Sequence, residues 1–301
     1  MNKWHWLLLT LSCWMAVGFA LGGPRQGKAG KDATPPALPG RIVSMAPDLT
    51  EILFALGLDK EIVGVSQYSD YPPAAREKPS VGSFWQPDIE RVVAAKPDLV
   101  VTSTTAGFDQ QKRLATRLER MGYRSLTLRL ETIAGLFEAI EQIGQATGRR
   151  PQADEVVSDI RSKLQKLSNL LDAGRKVKVL WVVQREPLRV AGRNTFVNEM
   201  IELAGGENAI GPTVQIYPPI GAEQVIASGA EVIIEPDMGR QDLDAQRESA
   251  IRYWGKFENL PAATNKRIYV IPGGAVSRLG PRLYEGIETI AKCLRPRLFE
   301  N

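Results

Sequence analysis

One stretch of the chain returns later in altered form, and that repetition limits the folds open to it. Glu90-Arg-Val-Val-Ala-Ala-Lys-Pro-Asp-Leu-Val-Val101 is echoed by Glu223-Gln-Val-Ile-Ala-Ser-Gly-Ala-Glu-Val-Ile-Ile234, each with a carboxylate at its head and an apolar strand at its tail. A second echo runs in the same order. Thr50-Glu-Ile-Leu-Phe-Ala-Leu-Gly57 resembles Asn198-Glu-Met-Ile-Glu-Leu-Ala-Gly205, a capped helix stopped by glycine in both places. Two echoes in one order predict two similar lobes, each presenting one glutamate.

Strand and helix patterns alternate through both halves. Ile42 to Met45 reads as a strand, Leu49 to Leu56 as a helix ended by Gly57, and Ile62 to Val65 as the next strand. A polar and aromatic loop, Ser66 to Gln86, leads into the helix carrying Glu90 and the strand Leu99 to Val101; helix 109–121 and the strand Tyr123 to Leu130 follow. Near-continuous apolar strands between helices favour mainly parallel, doubly wound sheets. The middle differs. Ile133, Leu136, Phe137, Ile140 and Ile143 keep helical spacing, as do Val156, Val157, Ile160, Leu164, Leu167 and Leu171 beyond Pro151, with no strand between. The second of these predicts a rod of about 20 residues, about 30 Å long, able to join one lobe to the other. Alternation restarts at Val177 to Val183 and continues through helix 195–204, strands 231–235 and 268–271, and helix 280–294. The expected division is 41–150 for the first lobe, 151–174 for the connecting helix and 175–301 for the second lobe, an α/β fold with a ligand cleft between lobes.

The start of the chain is of another kind. Residues 1–22 hold Lys3, an apolar run from Trp4 to Leu21, and small residues near its end, the pattern of a cleaved secretory signal; an uncleaved anchor is the alternative. Lipid attachment at Cys13 fits poorly, because the apolar run continues past it. Residues 23–40, rich in Gly, Pro, Ala and Lys, read as a flexible leader.

Removing the signal lowers the formal charge from +4 to +3 and removes His5, the single histidine. Acids and bases are interleaved, which leaves no nucleic-acid footprint. Without histidine, and with Cys293 as the one mature cysteine, Cys-His zinc sites, histidine triads and an internal disulfide are excluded. No phosphate loop, dinucleotide fingerprint or nucleophile elbow is present. An enzyme would have to rely on carboxylates, and no spacing singles out a pair. No cofactor or bound metal is expected.

Two α/β lobes on one long helix, exported, resemble the helix-linked class of solute-binding proteins serving ABC importers of cobalamin, haem and ferric siderophores. The run Gln67-Tyr-Ser-Asp-Tyr-Pro-Pro73, then Phe84-Trp-Gln86, then Asp88-Ile-Glu-Arg-Val-Val-Ala-Ala-Lys-Pro-Asp-Leu-Val100 is similar to the periplasmic cobalamin-binding proteins of Gram-negative bacteria. The resemblance extends from about Arg41 to Leu298 and includes Gly205-Gly-Glu-Asn208, Glu223-Gln-Val225 and Tyr253-Trp-Gly255.

That resemblance implies a monomeric periplasmic receptor that captures a cobalamin-like corrinoid, not an enzyme, and hands it to the membrane permease subunits of an ABC importer. It places Tyr68 and Trp85 on the first-lobe wall of the cleft, and Tyr217 and Leu188 on the second. Tyr217 stands where the family often has tryptophan, and Leu188 near a position that tends to be aromatic. Glu90 and Glu223 match the surface carboxylates that dock into arginine pockets of the two permease subunits. Some relatives bond the helix before Gly-Gly-Glu-Asn to the last helix by a disulfide; Ala204 stands opposite Cys293 here, so a buried free thiol is expected. Trp254 reads as packing. Haem or a ferric siderophore is the alternative cargo, with Arg185, Arg189, Arg193, Arg278 and Arg282 as candidate anion contacts and Tyr68, Tyr71 or Tyr217 as an iron ligand. An exported carboxylate-dependent enzyme is the alternative of another class.

Overall fold

The computed structural model describes residues 37–104, 109–171, 174–237 and 242–300. The predicted signal, Cys13 and most of the predicted leader lie outside the described residues.

The first four strands form one parallel sheet. They are β1 (Ile42–Ser44), β2 (Ile62–Val65), β3 (Leu99–Thr104) and β4 (Ser125–Arg129), in the order β2-β1-β3-β4. Their crossovers carry α1 (Pro47–Ala55), α2 (Ile89–Ala94) and α3 (Gln110–Arg120). Alternation along the strands divides their side chains between two cores. Ile42, Leu99 and Val101 face a central core, while Val43 and Val100 meet Val92 of α2 and Leu114 and Leu118 of α3 on the other side.

Two helices follow without a strand, as their spacing predicts: α4 (Ile133–Thr147) and α5 (Arg150–Leu171). Gly148, at φ +71°, takes the left-handed turn that stops α4. The helices then meet closely at Gly144, where a Cβ would stand 2.6 Å from the Ala153 side chain. At 22 residues α5 is about 33 Å long. It buries Ala153, Val157, Ile160, Leu167 and Leu171 along one stripe. The Arg295 guanidinium donates to the Leu171 carbonyl at 2.6 Å, satisfying a group the helix end leaves open.

The second sheet has β5 (Val177–Arg185), β6 (Leu188–Val190), β7 (Gly206–Asn208), β8 (Val232–Asp237) and β9 (Ile268–Pro272). Its order is β6-β5-β8-β9, with β7 also paired to β5; all pairs are parallel except β5 with β6. The helices here are α6 (Phe196–Leu203), α7 (Ala222–Ser228), α8 (Leu243–Trp254), α9 (Pro261–Thr264), α10 (Gly273–Val276) and α11 (Leu283–Leu294). Val179, Trp181, Val232 and Ile234 join the same central core as the first sheet, while Leu180, Val182, Ile233 and Val270 pack against Val225 of α7 and Trp254 of α8. The echo is therefore structural: β3 runs between β1 and β4, and β8 between β5 and β9, each preceded by the helix that bears its glutamate.

Candidate functional site

A cleft of about 840 Å³ opens between the two sheets. Its first wall comes from the start of α1 and from the long loop between β2 and α2. Gly82, at φ +97°, lets that loop fold back so tightly that a Cβ would stand 2.5 Å from the Asp88 backbone nitrogen. The turn Ser83–Gln86 that follows is closed by the Ser83 N–H to the Gln86 carbonyl at 3.0 Å, and Gln111 of α3 donates to the Phe84 carbonyl at 2.7 Å. Trp85 sits at the tip of that turn, edge-on to Phe84 at 4.9 Å, with 49% of its surface exposed. Tyr68 projects from the same loop, 54% exposed. Beneath it, a buried chain of hydroxyls (Ser44 to Thr50, Thr50 to Ser69, Ser69 to Ser66, each 2.8–2.9 Å) ties the loop to β1 and α1.

The opposite wall is made by Asn194 to Phe196 at the start of α6, by Ile216 and Tyr217, and by Ser277 to Leu279. Tyr217 is half-buried, and burial pushes its phenol above the ordinary range. Arg189 holds it in place by donating to its carbonyl at 3.2 Å.

Of the four residues expected to hold ligand, the structure brings three together: Tyr68, Trp85 and Tyr217 all line the cleft. Leu188 does not. As the first residue of β6 it turns into the second-lobe core beside Val190 and Val225, 9% exposed, because a half-buried antiparallel strand directs its apolar residues inward. Arg185, Arg189 and Arg193, candidate anion contacts only for a haem or siderophore cargo and otherwise read as a surface loop, are not among the residues that line the cleft. Arg185 pairs with buried Glu235 at 3.4 Å, and Arg193 meets Glu207 and the Ile210 and Asn208 carbonyls. Arg278 does line the cleft. Trp254 is fully buried, its indole N–H on Glu235.

Sequence reasoning missed the contacts that join the lobes. Glu51, buried in α1, receives a two-pronged contact from Arg282 at 2.6 and 2.9 Å and a longer one from Arg278 at 3.5 Å. Arg278 also meets Asp70 at 2.5 Å, and the Tyr71 ring lies under the Arg282 guanidinium at 3.7 Å. Burial alone would raise the Asp70 carboxyl; the Arg278 hydrogen bond and charge outweigh it and hold it below its usual range. Glu199, at the position of the echo that matches Glu51, caps α4 by accepting from the Ile133 N–H at 2.7 Å. The echoed acids are thus the ones that reach across. Their signal was visible in Thr50-Glu and Asn198-Glu, but Glu199 reads like any acid in a helix's first turn, and Glu51 lies past the first turn of α1, where Asp48 stands.

Glu90 and Glu223 lie in the first turns of α2 and α7, both exposed, and neither carboxylate has an ion-pair partner among the described residues. The caps differ. Asp88 accepts from the Glu90 and Arg91 N–H groups, whereas α7 begins at Gly221, whose N–H donates to Gln224 at 3.0 Å. Cys293 is a buried free thiol on α11, pushed up to about 11 by burial, and Ala204, which the resemblance sets opposite it, is fully buried. No group of acids, cysteines or histidines able to hold a metal ion occurs among the described residues, and no helix among them is long and apolar enough to cross a membrane.

Residues 42–275 match the family described as periplasmic binding protein. The chain is 32% identical over 252 residues to a vitamin B12-binding protein of Vibrio parahaemolyticus, covering 82% of this chain and 86% of the relative. Among solved structures it matches the vitamin B12-binding protein of Vibrio cholerae at a TM-score of 0.74 and 25% identity, over 87% of this chain and 99% of that one. It also matches a periplasmic haem-binding protein of Pseudomonas aeruginosa at 0.76 and 27%, over 86% and 94%.

Proposed function

Because the chain belongs to the periplasmic binding protein family, as an ABC-importer solute-binding protein of the cobalamin, haem and siderophore group, we propose that its own ligand is a cobalamin-like corrinoid. Members of this family are binding proteins rather than enzymes and carry no cofactor of their own. The observation that carries the reading is the cleft itself: exposed Tyr68 and Trp85 on one wall, Phe196 and Tyr217 on the other. Stiff rings supply apolar area with little rotamer loss, and their phenol and indole tips suit a large flat ligand fringed with amides.

In this reading the mature receptor is a monomer in the periplasm, released from its signal near Ala20 to Gly23. Glu90 and Glu223 dock it on the two permease subunits. Two opposite-charge contacts at separate points fix orientation and speed encounter more than they tighten binding, which suits a carrier that must leave again. Haem is the second reading, favoured by the two phenols, Tyr68 and Tyr217, that line the cleft.

Titrating the purified protein with cyanocobalamin, haemin and ferric siderophores, while following tryptophan emission, separates these. Saturable quenching by cyanocobalamin at micromolar concentration or below, with no product, is expected. Saturation by haemin alone moves the assignment to haem, and turnover of any ligand ends it.

A further inference from the structure

The charges around the cleft are set against carboxylates. Resting on the corrinoid reading above, we propose that Asp48 determines ligand class, admitting ligands fringed with amide N–H donors and rejecting those that carry free carboxylates.

The start of α1 lines the cleft with Pro47 and Asp48. A helix N-terminus facing a binding site ordinarily attracts an anionic ligand. Here the chain supplies the anion itself. The Asp48 carboxylate accepts from the Leu49 N–H at 2.8 Å and so fills the place a ligand carboxylate would take.

The other charges are largely committed to each other. Besides Asp48, the cleft is lined by Asp70 and Glu131, and each already has a guanidinium: Arg278 at 2.5 Å and Arg129 at 2.7 Å. Arg278 is the one lining cation among the described residues, and it is shared between Asp70 and Glu51. Asp48 alone of the three has no ion-pair partner among the described residues. Burial, reinforced by the Glu51 charge and opposed by the Leu49 and Asp48 N–H groups and by the more distant Arg278 charge, pushes its carboxyl up to about 6. Above that pH it stands as an anion served by backbone N–H groups and by no ion-pair partner among the described residues. A ligand amide N–H would relieve it, whereas a ligand carboxylate would bring a second negative charge into a half-enclosed space.

The test uses the full chain and two dicyano-corrinoids, one with its side-chain amides intact and one with those amides hydrolysed to carboxylates. At pH 7.5 the wild-type protein is expected to prefer the amide form by at least about a hundredfold. In Asp48→Asn that preference falls about tenfold, mainly because the carboxylate form binds better. If Asp48→Asn does not fold, Asp48→Ser removes the charge while keeping a side-chain acceptor for the Leu49 N–H. An unchanged preference in a folded variant overturns the role given to Asp48 and leaves the corrinoid reading standing. If the wild type binds neither corrinoid, the ligand reading fails, and haemin against its dimethyl ester then tests Asp48 by itself. Preference for the ester, reduced in Asp48→Asn, supports it; preference for the free propionates overturns it.

Discussion

The two lobes share their wiring and differ in where they keep their rings and how they spend their acids. The first lobe carries Tyr68 and Trp85 outward on loops, 54% and 49% exposed; the second buries Trp181 and Trp254 at 2% and 0%. Glu51 in the first meets two arginines of the second, whereas its counterpart Glu199, among the described residues, meets the backbone at the start of α4. A repeated strand-helix frame thus fixes where loops emerge and leaves their chemistry free to diverge.

The largest expected effect falls where the second lobe is most buried. Trp254→Ala removes a fully buried ring and strips buried Glu235 of its indole partner, and a loss of about 4 kcal/mol in a urea melt is expected. A loss below 1 kcal/mol would mean that this lobe does not depend on its buried tryptophan.

Glu51→Ala comes next, at about 3 kcal/mol, because it leaves Arg282 and Arg278 without their buried carboxylate. The same change at Glu199 should cost less, since only one backbone donor is left open. Equal costs would erase the asymmetry between the echoed acids.

Trp85→Ala should weaken capture of cyanocobalamin about thirtyfold while leaving the melting temperature within a degree or two, because the ring is half exposed. A stability loss as large as that of Trp254→Ala would assign Trp85 to packing. The double change Glu90→Ala with Glu223→Ala should spare capture and slow importer-dependent uptake about tenfold in reconstituted vesicles. Unchanged uptake would remove the docking role from both.

The smallest effect concerns Cys293, whose folded-state thiol lies near 11 against an ordinary 9. A raised acid favours the folded state below pH 9 and loses that advantage as pH climbs through 11. Melting temperature from pH 8.5 to 11 should fall more steeply for the wild type than for Cys293→Ala, with the two alike at pH 7.

Much of the fold was legible because it is local. Gly57, Gly122 and Gly148 stop helices in left-handed turns that their sequence positions announce, and buried parallel strands read as apolar runs. The β5–β6 hairpin was not, because three residues of antiparallel pairing leave no periodic trace; Leu188, which the resemblance set at the cleft, opens its second strand and packs into the core. Phe196, Ser277 and Leu279 of the second cleft wall also escaped notice, since they meet the first wall only through the tertiary arrangement; Arg278 between the last two was a candidate only as an anion contact. The Glu51–Arg282 contact spans 231 positions, a pairing that no window along the chain can show. Tyr68 and Trp85 came from the family resemblance, and for Trp85 the loop of Gly82, Ser83, Gln86 and Pro87 around it added that the ring has no apolar run to join.

The central core runs unbroken from Ile42 of the first sheet through Ile140 of α4 and Ile160 of α5 to Val179 and Ile290 of the second half. Neither half can melt without exposing apolar surface that the other helps to cover. Heating should therefore give one calorimetric peak, not two, and severing the chain between α4 and α5 should yield fragments that fold only as a pair.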